Sequence, residues 1–500
     1  MIMGHSVRTI PKKSDYTIVM GFFALGFMLI SFVNHYQFRT YSLDLGLYNQ
    51  TLFDYAHGRF NFSTLLEPDF HLRNQLADHF DLWLFLIAPL YFIFGSYTLL
   101  GVQIAAILIG GLGIAKSIET LSHDTKMPLF AMIHFYSLWG IYAALSFDYH
   151  SNVVASMFVP WLFYHHQKKN LYAAVLVFVF ILICKENMAL WAVFIASGFA
   201  WFFRKEAVIR NLNLALLFFA IIYFVLATKV FMPAFSTKDQ AYIHFDFLVL
   251  GANYGEAIKS ILLHPVNNAI YLFKSHLNLP EAFGIKKELH TFILLSGGLA
   301  LIFEPAFLWI LLPIYGQKLF NDDFTKWGIN HHYSIEFAPI LTLALFISLE
   351  RLHKNYRKAF ALLFMIMALS ITIYGMHKRV SKWYNEPNEN LFNKKHYHRS
   401  LDLRRINGVI KKIPDNFSVS ASNTLTPHLA FRKEIYQYPF VNNAQLILLL
   451  DEQESYYPLI ETDFSLKFAE LKKDSNYVCK LHEYPFYVFV RKDISFSVGD

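Results

Sequence analysis

The residues able to do acid–base or anion-binding chemistry fall in short polar segments between apolar runs. Asp44 and Asp54 bracket Asp44-Leu-Gly-Leu-Tyr-Asn-Gln-Thr-Leu-Phe-Asp54, just after the first apolar run. His79 lies in Asp78-His-Phe-Asp81, Asp148 and His150 in Phe147-Asp-Tyr-His150, Lys185 and Glu186 at the end of Ile-Leu-Ile-Cys-Lys-Glu, and His332 in His331-His-Tyr333. A carboxylate at a membrane surface loses part of its hydration and becomes a better proton acceptor, which suits Asp44 to be a catalytic base. The same residue is also placed to be a plain helix N-cap for an interfacial helix running from Leu45, with Leu45, Tyr48, Leu52 and Phe53 near one helical face. Asp54, ten residues on, would sit roughly 15 Å along a continuous helix and some 80° around it, so the two acids do not form a carboxylate pair unless that helix breaks. Lys185 can hold a phosphate as a point charge or snorkel to the surface. Its neighbour Glu186 points to a different side of a helix, so each charge needs a partner elsewhere. His79, Asp148, His150 and His332 are candidates for hydrogen bonding or leaving-group protonation. Arg39, Arg59 and Arg73 suit either an anionic head group or interfacial anchoring. Tight metal-ligand spacing such as His-x-x-x-His is missing, so no cofactor is expected; a divalent cation stays open but has no support from ligand spacing.

These segments need positioning elements, and composition says what they are. At 500 residues, 55% hydrophobic and only 16% charged, the chain is too apolar and too long for one soluble core. It reads as an α-helical polytopic membrane protein. The net charge of +7 is carried largely by Lys and Arg in short connections, a positive-inside signature and not a nucleic-acid footprint. Cys184 and Cys479 are too far apart in sequence for a disulfide framework or zinc site. Arg8, Lys12 and Lys13 precede the first apolar run, but no small-residue cleavage site follows it, which predicts an uncleaved first span.

Span-length apolar runs lie near 16–33, 97–119, 128–146, 152–167, 170–184, 187–203, 211–228, 333–349 and 359–376. Residues 289–316 are interrupted at Glu304-Pro305; two short spans meeting there keep the basic connection 351–358 on the side of the other basic connections, for a total of about eleven spans. Pro305 lacks a backbone donor and turns Glu304 away from helical geometry, as such a break requires. The run 81–94, with Pro89, is predicted to be interfacial or re-entrant. With a cytoplasmic N-terminus, the segments holding Asp44, Asp54, Glu67, Asp69, Asp78 and His79, then Asp148 and His150, then Lys185 and Glu186, then His331 and His332, all face the extracytoplasmic side. The predicted organisation is a transmembrane domain over 1–376, with its first extracytoplasmic loop at 35–96, and a small soluble α/β domain over 377–500. In the latter, short apolar stretches at 417–421, 434–438, 445–450, 477–481 and 486–490 alternate with a helix-compatible 463–473. It has no Gly-rich phosphate loop.

Asp44-Leu-Gly-Leu-Tyr-Asn-Gln50, His79-Phe with Ala88-Pro-Leu-Tyr91, Gln103, Phe147-Asp-Tyr-His150, Lys185-Glu186, His332-Tyr333 and Ser420-Ala-Ser-Asn-Thr-Leu-Thr-Pro-His-Leu-Ala-Phe-Arg432 together resemble the bacterial membrane-protein family called domain of unknown function 2079, grouped with the GT-C glycosyltransferases. The resemblance runs from about residue 40 to 440 and implies a GT-C-like fold in a bacterial membrane. It implies transfer of a sugar from a polyprenyl-phosphate carrier to an acceptor on the outer side, with Asp44 as the motif acid and no nucleic-acid partner. Where the family usually has Lys-Glu-Asp, this chain has Lys185-Glu-Asn187, which leaves a third acidic position without a counterpart. Within that implied reaction Asp44 is the base, Lys185 and Arg73 are the donor-phosphate cations, and Asp54, His79, Asp148, His150, Glu186 and His332 are supporting candidates. Two other readings stay open: a transporter or flippase of a lipid-linked substrate, for which mid-span charges and inverted repeats are expected and not visible, and a non-catalytic membrane scaffold.

Overall fold

The computed structural model describes residues 12–60, 62–66, 73–236, 245–381, 384–451 and 456–498. The sequence candidates Glu67 and Asp69 fall outside these, as does the side chain of Arg73, whose backbone alone is described. The chain divides into two compact units, one formed by Met1–Ile30, Gln103–Val230 and Ala241–Leu391, the other by Ser31–Val102, Phe231–Gln240 and Phe392–Asp500.

The first unit is helical, and each span-length run read from its sequence is a helix or a helix pair. Among the described residues four helices are long and apolar enough to cross a bilayer unaided: Lys13–Tyr36, Trp83–Leu121, Ala207–Phe235 and Lys354–His377. A fifth candidate is the pair Lys126–Tyr136 and Trp139–Leu145, bent by 46°. Ser151–Gln167, Leu171–Cys184, Glu186–Phe202, Pro305–Leu319 and Phe337–Glu350 are shorter. Their shortness has a visible cause where polar residues interrupt the apolar run: Lys185 is fully extended (φ −168°, ψ 149°) and separates two helices. The expected break at Glu304 is present, and a second kink at Ser296 and Gly297 (φ 91°) precedes it.

Ion pairs tie the basic connections together. Arg351 reaches Glu304 at 2.7 Å, Lys358 reaches Asp124 at 2.9 Å, and Lys169 reaches Glu206 at 2.8 Å. The Arg351–Glu304 pair places the Glu304-Pro305 break beside the start of the 351–358 connection, as the two-span reading expects.

The second unit joins the first loop to the tail. In the loop, β1 (Phe62–Ser63) pairs antiparallel with β2 (Arg73–Asn74). In the tail, β3 (Val419–Ala421), β4 (Ile435–Gln437), β5 (Leu446–Leu450), β6 (Tyr477–Glu483) and β7 (Phe486–Arg491) form one sheet in the order β4-β3-β5-β7-β6. The β3 pairings to β4 and β5 are parallel, and β7 is antiparallel to both β5 and β6. Side chains alternate faces along a strand. Accordingly Leu446, Leu448 and Leu450 enter one core with Ile406 and Val409 of the Leu403–Lys412 helix, while Ile447 and Leu449 enter another with Phe464 and Phe468 of Glu461–Lys473. Both faces are covered, so the strands read as continuous apolar runs.

The first of these cores is not built by the tail alone. Phe38, Leu47 and Leu65 of the first loop are buried in it. Full burial of such side chains stabilises by about 1.5–3 kcal/mol each, a large share of a small domain's net stability. Leu47→Ala in the full-length protein should therefore lower the stability of this unit by about 2–5 kcal/mol and raise cleavage within residues 392–498 in pulse proteolysis. Leu466→Ala, on the 65% exposed outer face of the Glu461–Lys473 helix, should leave cleavage unchanged.

Candidate functional site

In the loop-and-tail unit, Tyr41 is extended and the chain then enters a wide helical turn, Ser42–Gly46, that runs directly into the helix Leu47–Ala56. Asp44 thus lies inside the first turn and is not the N-cap. The first free backbone N–H of that turn, on Ser42, donates to Asn423 Oδ1 of the tail at 2.9 Å. Capping here comes from a residue distant in sequence, which corrects the local reading of Asp44. Asp44 is half-buried, and a carboxylate in the first turn is favoured by the helix dipole. The helix is also not a simple amphipathic one lying on a surface, because Leu47, Tyr48, Asn49, Gln50, Thr51, Leu52 and Asp54 are all buried.

Its polar residues bind the tail. Asn49 Nδ2 donates to Pro427 O at 3.0 Å. Gln50 Nε2 donates to Thr64 Oγ1 at 2.8 Å, and Thr64 Oγ1 donates to Ile435 O at 2.5 Å while accepting from Ile435 N at 3.1 Å. A Cβ on Gly46 would stand 3.3 Å from Thr426 Cγ2, so glycine permits the close approach of the two segments. His428 of the tail stacks on His35, with ring centroids 3.9 Å apart. The paired motifs Asp44 to Gln50 and Ser420 to Arg432 are thus two sides of one contact.

Asp54 is buried and paired with Arg59 at 3.0 Å. Burial pushes its carboxyl up to about 6 while Arg59 pulls the other way. The helix between Asp44 and Asp54 is continuous, so the two acids do not converge. His79 is 3.9 Å from Asp78 at the end of the short Gln75–Asp78 helix, and Arg39 is spent on tail carbonyls, donating to His396 O and Lys395 O at 2.8 Å each.

In the helical unit the structure brings together residues that are far apart in sequence. Asp148 has a left-handed backbone (φ 25°), and Gln103 pins this turn by donating to Asp148 O at 2.9 Å and accepting from His150 N at 3.0 Å. His150 stacks on His332 with centroids 3.4 Å apart, and Phe147 approaches His331 at 4.1 Å. One step further in, Asn152 Nδ2 donates to Glu336 Oε1 at 2.8 Å. Glu336 Oε2, Asn152 Oδ1 and His332 Nδ1 are buried with no hydrogen-bond partner among the described residues. Lys185 and Lys318 both act electrostatically on His332 and Glu336. Burial, with His150 and Lys185 acting in the same direction, holds the His332 imidazole well below its ordinary range. The arrangement sets a carboxyl group and an imidazole beside the side chains of Lys185 and Lys318.

Of the sequence candidates, Asp148, His150, Lys185 and His332 share this unit's polar cluster. Glu186, on the helix that begins after Lys185, interacts electrostatically with Tyr254. Asp44, Asp54 and His79 belong to the other unit. Glu336, Asn152 and Lys318 were not singled out by sequence. Their only sequence signal is a charge or amide at the edge of an apolar run, beside a residue already chosen: Asn152 two positions after His150, Glu336 four after His332. Among the described residues no group of three or more His, Cys, Asp or Glu side chains forms a metal ligand set.

The sequence matches the family described as predicted membrane protein, DUF2079, over residues 34–477. The chain belongs to the DUF2079 family. No functionally curated protein matches it. Among solved structures, it is similar to ArnT from Cupriavidus metallidurans bound to undecaprenyl phosphate, at 11% identity and a TM-score of 0.52, with 96% of this chain and 98% of that chain covered. Apo ArnT from the same organism gives 11% identity and 0.49, over 95% and 98% of the two chains. An Archaeoglobus fulgidus oligosaccharyltransferase tethered with an acceptor peptide gives 12% and 0.45, over 88% and 70%. The bound ArnT structure shares the fold of this DUF2079 protein from end to end, so the GT-C-like polytopic architecture implied by the motifs is the architecture present.

The Asp54 site makes a pH-dependent prediction. Its folded-state value lies above the ordinary 3.8, so the folded DUF2079 protein holds this proton more tightly than the unfolded chain. That preference adds stability as pH falls through about 6 and is lost as pH rises through it. The thermal midpoint of wild type relative to Asp54→Asn should therefore shift in favour of wild type between pH 7 and about pH 4.5. A pH-independent difference would contradict the assignment.

Proposed function

We propose that this DUF2079 protein is a membrane glycosyltransferase that moves a sugar from a polyprenyl-phosphate donor to an acceptor on the extracytoplasmic face. The observation that carries the reading is the end-to-end fold correspondence with ArnT, a protein captured with undecaprenyl phosphate. The buried ammonium of Lys185 supports it from this chain's own residues, since a basic group kept at low exposure has a reason to be there if an anion comes to it.

In the proposed reaction Asp44 accepts the proton of an acceptor hydroxyl. The hydroxyl oxygen bonds to the anomeric carbon, the bond from that carbon to the phosphate oxygen breaks, and the lipid phosphate leaves with the electron pair. Lys185 stabilises the departing phosphate, with Arg73 as a second cation. Asp148, His150, Glu186 and His332 support the Lys185 region, and Asp54 and His79 support the first loop. The proposed orientation places the N-terminus in the cytoplasm and the tail outside, in a bacterial cytoplasmic membrane.

General-base assistance is worth about 10²–10⁴ in rate. Asp44→Asn in proteoliposomes should thus reduce transfer from a polyprenyl-phosphate sugar by at least about 10² while leaving donor binding near wild type. Lys185→Met should instead weaken donor binding. Wild-type turnover by Asp44→Asn would refute the base assignment and make Asp54 or Glu186 the next acid to test. Reporter fusions after Arg204, Arg357 and Asp500 should report inside, inside and outside; an outside signal at Arg357 would overturn the two-span reading of residues 289–316.

A further inference from the structure

Between the helical runs of the first unit, the segment after residue 245 forms two short helices, Tyr254–Leu263 and Pro265–Tyr271. On the first, Tyr254, Ile258, Ile261 and Leu262 recur at the i, i+4, i+7 and i+8 positions of one face. On the second and its exit, Val266, Ile270 and Phe273 recur at i, i+4 and i+7. These side chains are exposed, Leu262 by 72%, Val266 by 72% and Phe273 by 67%. A contiguous apolar face of this size is unusual on a protein surface that meets only water.

The face cannot turn inward, because the hairpin is fastened on its other side. Ala257 is buried with Leu250 and Phe320. Asn268 Nδ2 donates to Ser260 O at 2.9 Å and locks the two helices together. Lys286 Nζ donates to Tyr271 O at 2.5 Å, Lys274 O at 3.1 Å and Leu319 O at 2.7 Å, so one ammonium closes the end of the hairpin onto the helix Pro305–Leu319.

What covers the face follows from its neighbour. Tyr254 packs edge-on against Phe224, ring centroids 6.4 Å apart, in the second half of the span Ala207–Phe235. That span shows Phe218, Ile222 and Val225 to the outside at 64%, 56% and 49% exposure, as a lipid-facing helix does. The hairpin's apolar face therefore adjoins a lipid-facing surface. We propose that the Tyr254–Phe273 hairpin lies in the membrane–water boundary, its Ile258, Leu262, Val266 and Phe273 side chains inserted among lipid acyl chains. Short helices with one apolar face adopt this position because it buries that face and leaves backbone ends and charges in water.

Nitroxide labels placed singly at Leu262, Val266, Phe273 and Lys259 of the full-length Cys479→Ser protein test this in phosphatidylcholine–phosphatidylglycerol nanodiscs. Power saturation should show collisions with oxygen exceeding those with a water-soluble nickel chelate several-fold at Leu262, Val266 and Phe273, with the balance shifted toward nickel at Lys259. Nickel-dominated collisions at the first three sites would show a solvated face, and low accessibility to both reagents would show a protein partner; either overturns the proposal. In the unsubstituted protein, a lipid carrying a diazirine in its acyl chain should crosslink within residues 254–273. Absence of such crosslinks, with crosslinks present in Ala207–Phe235, would also overturn it.

Discussion

A buried guanidinium sets the terms for the loop-and-tail unit. Arg39, 3% exposed, stands where the first loop meets the tail and spends its fork of donors on the main-chain carbonyls of Lys395 and His396. Arg399 of the tail returns the exchange, donating to the carbonyls of Gln37 and Phe38. Burying such a charge without acceptors would cost several kcal/mol, so loop and tail hold each other in one register. The rest follows from that register: Asn423 reaches the turn that carries Asp44, Asn49 reaches Pro427, Thr64 caps the edge strand β4, and Leu47 completes the core beneath the sheet. The tail is thereby the scaffold of Asp44 and not an appendage.

The helical unit applies the same rule in an apolar setting. Charges among spans must find each other, and they do so across long sequence distances. Glu304 finds Arg351 at the end that carries the basic connections. Glu336 finds Asn152 and stands in the field of Lys185 and Lys318, while Lys318 donates to the carbonyls of Lys326 and Gly328 at 2.7 and 2.9 Å. Those last bonds hold the loop on which the His331-His332 pair is mounted. What is left over is a Glu336 carboxyl oxygen and a His332 ring nitrogen with no hydrogen-bond partner among the described residues, in the field of Lys185.

Much of this was legible in the sequence because the signals are local. Strands β3 to β7 fall on the five apolar stretches of the tail, and the helix Glu461–Lys473 on its polar, helix-compatible segment, since such local patterns need only a short window. The break at Glu304-Pro305 was legible because proline states its own constraint. What was not legible depends on partners distant in the chain. Asp44 has the look of an N-cap, but the acceptor is Asn423; Glu336 gains its meaning only from Asn152 and Lys185. The Tyr254–Phe273 hairpin is hidden in the sequence for another reason: its helices are far shorter than a span, and their apolar spacing is plain only within each short helix.

The central claim is that the protein binds and uses a polyprenyl-phosphate-linked sugar, and native mass spectrometry tests its first half directly. Protein released from nanodiscs made with native membrane lipid should carry a bound species with the mass of a polyprenyl phosphate or its glycosylated form, and Lys185→Met should lose that species while keeping ordinary phospholipid adducts. Retention of phospholipid alone by the wild-type protein, when polyprenyl phosphate is supplied in excess, would contradict the account.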